Sequence, residues 1–204
     1  MNYLAHIYLS GDSPAILAGN YMGDAIKGRH YERFPEEVQL GILLHRHIDF
    51  YTDNHPLTLE AVDICRVYCG RFAPVAVDML FDYFLASDWS DFSKDPLEAY
   101  TENRYDTLES FRHLFPEETE RIYRHMSAHN WLLSYRTQEG IGNAMTGLGR
   151  RIPMKNNLHR AVHALYHDED ALRNLFHDFF PELKASSEEW LVTKREEHRR
   201  NQKK

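Results

Sequence analysis

Apolar residues recur at helical spacing along almost the whole of this chain of 204 residues. Between positions 35 and 53, for example, Val38, Ile42 and Ile48 fall on one face with polar residues between them. This repeat is typical of an amphipathic helix, and no run of alternating β-branched residues indicates a strand. The pattern predicts helices at 2–9, 14–27, 35–53, 57–70, 74–90, 96–113, 117–134, 137–148, 155–167, 168–179 and 182–200.

These helices predict an all-α fold, a single-domain helical bundle. The length suits one domain and is sufficient to bury a core without disulfides or structural metals. We expect residues 1–185 to form the all-helical domain. Residues 186–204, which are charged throughout from Lys194 onward, are expected to form a solvated C-terminal helix or tail.

Composition narrows the range of partners and compartments. The net charge of −7 argues against general nucleic-acid binding. Cys65 and Cys69 are four residues apart in one predicted helix, a geometry that does not favour a disulfide, so we expect reduced thiols. A basic N-terminal region and a long apolar run are both lacking in the sequence, so no secretory signal, membrane span or membrane partner is expected, and the cytoplasm is the expected location.

The predicted helix 35–53 carries a histidine and an aspartate on its apolar face. His45 and Asp49 are one turn apart on that face. A buried imidazole and a buried carboxylate need partners, since an unpaired buried charge is costly. A divalent metal is one such partner, whereas pairing of Asp49 with the neighbouring Arg46 is the simpler alternative.

Asp78 and Asp82 repeat this pattern in the predicted helix 74–90. They are also one turn apart on an apolar face, and like charges in that arrangement repel each other. No Lys or Arg lies three or four residues from either aspartate. Cations from elsewhere in the fold, or a metal, must therefore compensate.

Two further candidates lie near the N-terminus. Asp24 follows Asn20 by one turn, with Lys27 as a local ion-pair partner, and His6 lies in an apolar segment. Several inward His and Asp residues together favour a mixed nitrogen and oxygen metal site, which suits Mn, Fe, Zn or Mg. A hydrogen-bonded core network remains the alternative.

Two His-Asp dipeptides and two clusters of basic residues are more simply interpreted as structural features than as functional sites. The dipeptides His167-Asp168 and His177-Asp178 match the two-residue signature of HD phosphohydrolases, but few residues follow them and the second lies where a helix is expected to stop before Pro181. Basic residues concentrate at 27–33 and 150–160. Such clusters are usually solvated faces, although the first lies beside Asp24, where phosphate-binding cations would be useful.

Several motifs in a common order resemble one known family. They are Met1-Asn-Tyr-Leu-Ala-His6, Gly19-Asn20-Tyr-Met-Gly-Asp24-Ala-Ile-Lys27-Gly28, Gly41-Ile-Leu-Leu-His45-Arg46-His-Ile-Asp49, Tyr51-Thr-Asp53-Asn-His55-Pro56, Asp78-Met-Leu-Phe-Asp82-Tyr-Phe-Leu-Ala-Ser-Asp-Trp89 and Phe179-Phe-Pro-Glu-Leu183. Together they resemble the acyl carrier protein phosphodiesterases, divergent relatives of the HD phosphohydrolases. The resemblance extends from residue 1 to about residue 185.

This resemblance implies an HD-phosphohydrolase-like bundle and a hydrolase of lipid metabolism and fatty acid biosynthesis. The implied reaction releases 4′-phosphopantetheine from holo acyl carrier protein and leaves the apo protein. The implied cofactor is Mn²⁺, with Mg²⁺ or another divalent metal as the alternative. On this basis we expect metal ligation by Asp24, His45, Asp49, Asp78 and Asp82, orientation or proton transfer by His6 and His55, phosphate neutralisation by Arg46 and Lys27, and docking of the acidic carrier protein by Arg150, Arg151 and Lys155.

Two other functions remain open from the residues alone. A phosphohydrolase of a nucleotide or another small phosphate ester would share the metal but need no carrier-protein docking. A non-catalytic helical interaction protein would use the same His and Asp residues as a buried polar network and would bind no metal.

Overall fold

The computed structural model describes residues 1–201, and these residues form helices without a strand. The α-helices α1 to α11 are Tyr3–Leu9, Pro14–Tyr21, Glu36–Asn54, Pro56–Cys69, Ala73–Ser87, Leu97–Glu109, Glu117–Ala128, Trp131–Ser134, Gln138–Arg151, Ala164–His167 and Glu169–Asn201. Short 3₁₀ helices lie at Gly23–Ala25, His30–Arg33, Gly70–Phe72, Trp89–Asp91, Arg112–Leu114 and Leu158–His163. The all-α prediction is confirmed. Residues 202–204 of the predicted tail lie outside the described residues.

Helix α5 forms the centre of the core because it is apolar on nearly every face. Phe81, Phe84 and Leu85 are fully buried, and α5 packs against α1, α4, α9 and α11. Cys65 and Cys69 are buried free thiols on α4. Among residues 1–201, no helix combines the length and the apolar character that crossing a bilayer requires.

The prediction of two helices at 168–179 and 182–200 is wrong, because α11 continues through Pro181. A proline inside a helix costs about 3 kcal/mol through the lost hydrogen bond and a steric clash. Phe179 and Phe180 before it and Leu183 after it are all fully buried. Burial of this continuous apolar face on both sides of Pro181 offsets the cost.

Helix α2 is shorter than predicted, and its early end matters for the candidate site. It ends at Tyr21 instead of near residue 27, and the chain turns through the 3₁₀ helix that holds Asp24. Gly28 then adopts a positive φ of 55°. The turn brings Asp24 back toward α3, onto which Gly23–Ala25 packs.

Helices α2 and α3 cross in backbone contact at two glycines. A Cβ on Gly19 would lie 2.1 Å from the carbonyl oxygen of Val38, and one on Gly41 would lie 2.2 Å from that of Ile16. Asn20 directly follows Gly19 in α2, and the candidate site residue His45 lies one turn after Gly41 in α3. The closeness of the crossing therefore fixes how α2 and α3 present those side chains to each other.

Gly41→Ala should lower the free energy of unfolding by about 3 kcal/mol, since backbone atoms cannot move aside as a side chain can. Gly147→Ala is the matched control in α9, because its added Cβ would meet nothing within 4 Å in the described part of the chain. That variant should gain about 0.5–1 kcal/mol. Urea unfolding of both proteins measures the contrast, and equal effects would contradict the close crossing.

Candidate metal centre

Three side chains from two helices converge beside the α2–α3 crossing. His6 comes from α1, and His45 and Asp49 come from α3; one ligand atom of each lies within 4.8 Å of those of the other two. His6 Nε2 is 3.1 Å from Asp49 Oδ1, and His45 Nε2 is 3.1 Å from Asp49 Oδ2. The two imidazole rings stack with centroids 4.0 Å apart. Both histidines are buried, while Asp49 is half-buried.

The far nitrogens of both rings are held by one residue, Asn20 of α2. His6 Nδ1 is 2.8 Å from Asn20 Oδ1, and His45 Nδ1 is 2.9 Å from the Asn20 backbone oxygen. The Asn20 amide nitrogen donates to the His6 carbonyl at 2.8 Å and to Ser10 Oγ at 2.9 Å. These two bonds fix which end of the amide is the oxygen, so that oxygen accepts a hydrogen bond from the N–H of His6 Nδ1.

This arrangement leaves an acceptor oxygen at both ends of each imidazole ring. A neutral imidazole carries one N–H and can satisfy only one of the two oxygens. His45 Nε2 is buried and makes no acceptable hydrogen bond with any described residue. A cation between the Nε2 atoms and the Asp49 carboxylate would satisfy all of these groups at once, and ligand histidines in metal sites have their second nitrogen held in this way.

Asp24 extends the group toward solvent. Its Oδ1 lies 3.3 Å from His45 Nε2, and its side chain is 80% exposed. The 3₁₀ turn after α2 places it there, across from α3. The group of His6, His45 and Asp49 is therefore open to solvent on the side where the Asp24 carboxylate lies.

Protonation of the group follows from burial and charge. Burial acts to lower the pKa of His45, but the carboxylates of Asp24 and Asp49 outweigh it and raise that pKa to about 9. Burial, aided by the charge on His45, lowers the pKa of His6. The pKa of Asp49 is lowered because both histidines outweigh the opposing effect of burial. A proton on His45 would thus compete with any cation for the space between the Nε2 atoms and the Asp49 carboxylate.

The structure gives Asp82 and Asp78, both predicted as ligands, other partners. Asp82 is fully buried and accepts hydrogen bonds from the backbone N–H groups of Leu4 at 2.7 Å and Ala5 at 3.1 Å. Asp78 Oδ1 accepts from the amino group of Met1 at 2.9 Å. Asp82 therefore caps the first turn of α1, and the compensating cation for Asp78 comes from Met1.

His55 and Arg46 also have structural contacts. His55 is the N-cap of α4, with Nδ1 accepting from the Leu57 N–H at 3.3 Å, and its Nε2 lies 3.3 Å from Glu182. Arg46 donates to the carbonyl oxygens of Ile26 and Gly28, both at 2.8 Å. Arg46 thereby ties the loop after Asp24 to α3, next to His45.

The four cations predicted to bind substrate are exposed. Lys27 lies in the loop tied down by Arg46, Arg150 and Arg151 end α9, and Lys155 follows them. Burial raises the pKa of Tyr3 to about 12, and the charges of both Arg151 and Asp24 act on its hydroxyl. Tyr3 is therefore close enough to both Asp24 and Arg151 for their charges to act on it.

The two His-Asp dipeptides take part in separate contacts. His177 Nε2 lies 2.8 Å from Asp88 Oδ2, and Asp168 accepts a hydrogen bond of 2.6 Å from the Tyr68 hydroxyl. These pairs join α11 and the turn before it to α5 and α4. They hold the bundle together and do not contribute to the metal-ligand group.

Sequence reasoning placed His6 outside the ligand set and assigned no role to Asn20. Both are brought to the site by contacts between α1, α2 and α3 that no local spacing reveals. One signal was present in the sequence: Asn20 lies in an otherwise apolar run, Ile16 to Met22. In the structure Asn20 is fully buried. A buried amide needs several specific partners, which makes such a residue a candidate for holding functional side chains.

Comparison with known proteins agrees with the motifs. The family model described as acyl carrier protein phosphodiesterase matches residues 1–183. Proteins named acyl carrier protein phosphodiesterase from Escherichia coli O139:H28 (strain E24377A / ETEC) and Escherichia coli (strain K12 / DH10B) are each 32% identical over 188 residues, which is 92% of this chain and 97% of theirs. No solved structure matches the chain at a significant level. The chain belongs to the acyl carrier protein phosphodiesterase family.

Proposed function

We propose that this protein hydrolyses the phosphodiester that joins 4′-phosphopantetheine to a serine of holo acyl carrier protein, and that it needs a divalent metal, Mn²⁺ before Mg²⁺. Family membership supports the reaction and its protein substrate. One observation carries the metal requirement. The His6 and His45 rings have their Nδ1 atoms in contact with Asn20 and direct both Nε2 atoms at the Asp49 carboxylate. This group contains fewer N–H protons than its acceptor atoms require.

His6, His45 and Asp49 would hold the ion, with Asp24 at its exposed edge. Two nitrogens and one or two carboxylates form a ligand set that suits Mn²⁺ and related first-row metals. When bound, a divalent ion supplies Lewis-acid polarisation of the phosphoryl group. The His6 and His45 rings need no reorientation to serve as ligands, because Asn20 already holds them.

The reaction adds water across the bond between phosphorus and the serine oxygen. The water oxygen joins phosphorus, the serine leaves as a hydroxyl and 4′-phosphopantetheine leaves as a monoester. Asp24 is the residue suited to receive the proton from water, since its exposed carboxylate lies at the open side of the group, 3.3 Å from His45 Nε2. Lys27 and Arg46 lie in or beside the adjoining loop, where positive charge would offset that of the phosphate.

Docking of the carrier protein falls to the exposed cations at the end of α9, Arg150 and Arg151, together with Lys155. The whole chain carries a charge of −7, so an acidic partner has to meet a local basic surface. The joint electrostatic effect of Arg151 and Asp24 on Tyr3 supports a location of this surface beside the open side of the site.

Reversing two of these charges should weaken docking without changing chemistry. In Arg150→Glu/Arg151→Glu, KM for holo acyl carrier protein should rise about tenfold at low salt with kcat unchanged, and the difference should shrink as salt screens the charges. Arg66→Glu/Arg200→Glu changes net charge equally on exposed parts of α4 and α11. Equal effects of the two variants, or no dependence on salt, would contradict docking at α9.

Mass spectrometry of holo acyl carrier protein after incubation with this protein tests the function. Loss of phosphopantetheine with Mn²⁺, abolished by chelator and restored by added metal, is the expected result. Turnover that survives exhaustive chelation would overturn the metal requirement. An unchanged carrier protein alongside hydrolysis of free nucleotides would favour the small-phosphate reaction, and a protein that binds no metal and hydrolyses neither would favour a non-catalytic role.

A further inference from the structure

Asn20 occupies an unusual position, because one buried residue contacts both candidate histidine ligands. Its side-chain oxygen faces His6 Nδ1 at 2.8 Å and its backbone oxygen faces His45 Nδ1 at 2.9 Å. Asn20 is fully buried and lies on α2, a helix that supplies no ligand of its own. We infer that Asn20 is a positioning residue that keeps the proton of His6 on Nδ1 and thereby keeps His6 Nε2 free for the metal.

The hydrogen-bond directions carry this inference. The Asn20 amide nitrogen donates to the His6 carbonyl and to Ser10 Oγ, and Ser10 Oγ donates to the same carbonyl at 2.7 Å. Rotating the amide by half a turn would put its oxygen against the His6 carbonyl and its N–H₂ against His6 Nδ1. The contact between the two oxygens would be repulsive and the bond donated to the His6 carbonyl would be lost, so the amide oxygen faces the ring and requires a proton on Nδ1.

The opposite end of the ring explains why such a device is needed. Asp49 Oδ1 lies 3.1 Å from His6 Nε2 and would attract the ring proton to that nitrogen. A proton on Nε2 would occupy the coordination position and exclude the ion. The Asn20 oxygen competes with Asp49 for this proton and holds it on the far side of the ring. His45 Nδ1 faces the Asn20 backbone oxygen, and no side-chain substitution at position 20 removes that contact.

Two substitutions separate positioning from general packing. Asn20→Ala removes the acceptor for His6 Nδ1 together with both donated bonds. Ser10→Ala is the matched control, because Ser10 is equally buried and belongs to the same network but contacts neither ring. Asn20→Asp keeps an acceptor oxygen for Nδ1 while losing the two donated bonds, so it should fold less stably than the wild type and still hold the ring.

The inference rests on the proposed metal-dependent function, so the experiment has one arm without metal. Nitrogen-15 spectra of the His6 ring in the metal-free protein should show Nδ1 protonated in the wild type, Ser10→Ala and Asn20→Asp, and unprotonated in Asn20→Ala. In the second arm, titration with Mn²⁺ alone should show affinity about 10–100-fold weaker for Asn20→Ala, and within about threefold of wild type for Ser10→Ala.

The two arms separate the possible failures. An unprotonated Nδ1 in the wild type would overturn the role of Asn20, whatever the metal result. Wild-type Mn²⁺ affinity in Asn20→Ala, or an equal loss in Ser10→Ala, would also overturn it, since a merely structural contact would then suffice. A wild-type protein that binds no Mn²⁺ while showing the expected Nδ1 protonation would contradict the proposed function and uphold the positioning of the ring.

Discussion

Asp49→Asn should reduce turnover of holo acyl carrier protein by about a thousandfold or more, since Lewis-acid activation contributes several kcal/mol to such reactions. Asp49 is the residue that joins the group, with one oxygen facing His6 and the other facing His45. Asparagine keeps the shape of the side chain but removes its charge and turns one oxygen into a donor. Binding of Mn²⁺, measured by titration, should be lost together with activity.

Folding should survive this change. The Asp49 side chain is 38% exposed and asparagine has nearly the same size, so the replacement leaves no large buried cavity. Helical circular dichroism should match that of the wild type. Asp63→Asn on α4, where the aspartate is exposed and paired with Arg66, is the control and should retain full activity. Wild-type turnover in Asp49→Asn would remove Asp49, and with it the proposed centre, from the mechanism.

The sequence was sufficient to predict that two side chains of this group lie together. His45 and Asp49 belong to a single helix, and helical spacing alone places them one turn apart on the buried face of α3. Most of the helices could also be predicted from the sequence, because their apolar faces repeat at a local spacing. Where tertiary burial overruled a local rule, as at Pro181 in α11, the prediction was wrong.

The rest of the group depends on contacts between distant segments. His6 reaches Asp49 across 43 positions of sequence, and periodicity shows that a side chain points inward without showing what it meets there. Asp78 and Asp82 illustrate the same limit. Their pattern matches that of His45 and Asp49, yet their partners are the amino group of Met1 and the backbone of α1. Identical local patterns thus acquire different roles through packing.

Asp82→Ala should lower the free energy of unfolding by about 2–4 kcal/mol, because it leaves two buried N–H groups without acceptors. The first turn of α1 receives its cap from this distant carboxylate, since the side chain of the N-cap residue Asn2 makes no capping hydrogen bond to the helix. For a protein of this size the change corresponds to a fall in Tm of roughly 5–15 °C. Activity should also fall, since α1 carries His6.

Ser187→Ala is the matched control for Asp82→Ala. Ser187 is also fully buried, but its hydroxyl donates to the Leu183 carbonyl within α11. Its removal therefore leaves no backbone N–H without an acceptor. Thermal unfolding should show a much smaller change for this variant. Similar losses in the two proteins would mean that burial of a polar side chain, and not the cap on α1, determines the effect.

The pH dependence of Asp82→Asn tests the cap further. Burial raises the pKa of Asp82 to about 7, although the N–H groups of Leu4 and Ala5 act to lower it. Aspartate in an unfolded chain titrates near 3.9, so the folded state binds this proton more tightly. The contribution of Asp82 to stability is then fully present below about pH 4 and declines as the pH rises toward 7. The destabilisation caused by Asp82→Asn, measured by urea unfolding across this range, should therefore be larger at pH 4 than at pH 7. A destabilisation that grows with pH would mean that the two N–H groups outweigh burial and keep Asp82 ionised throughout.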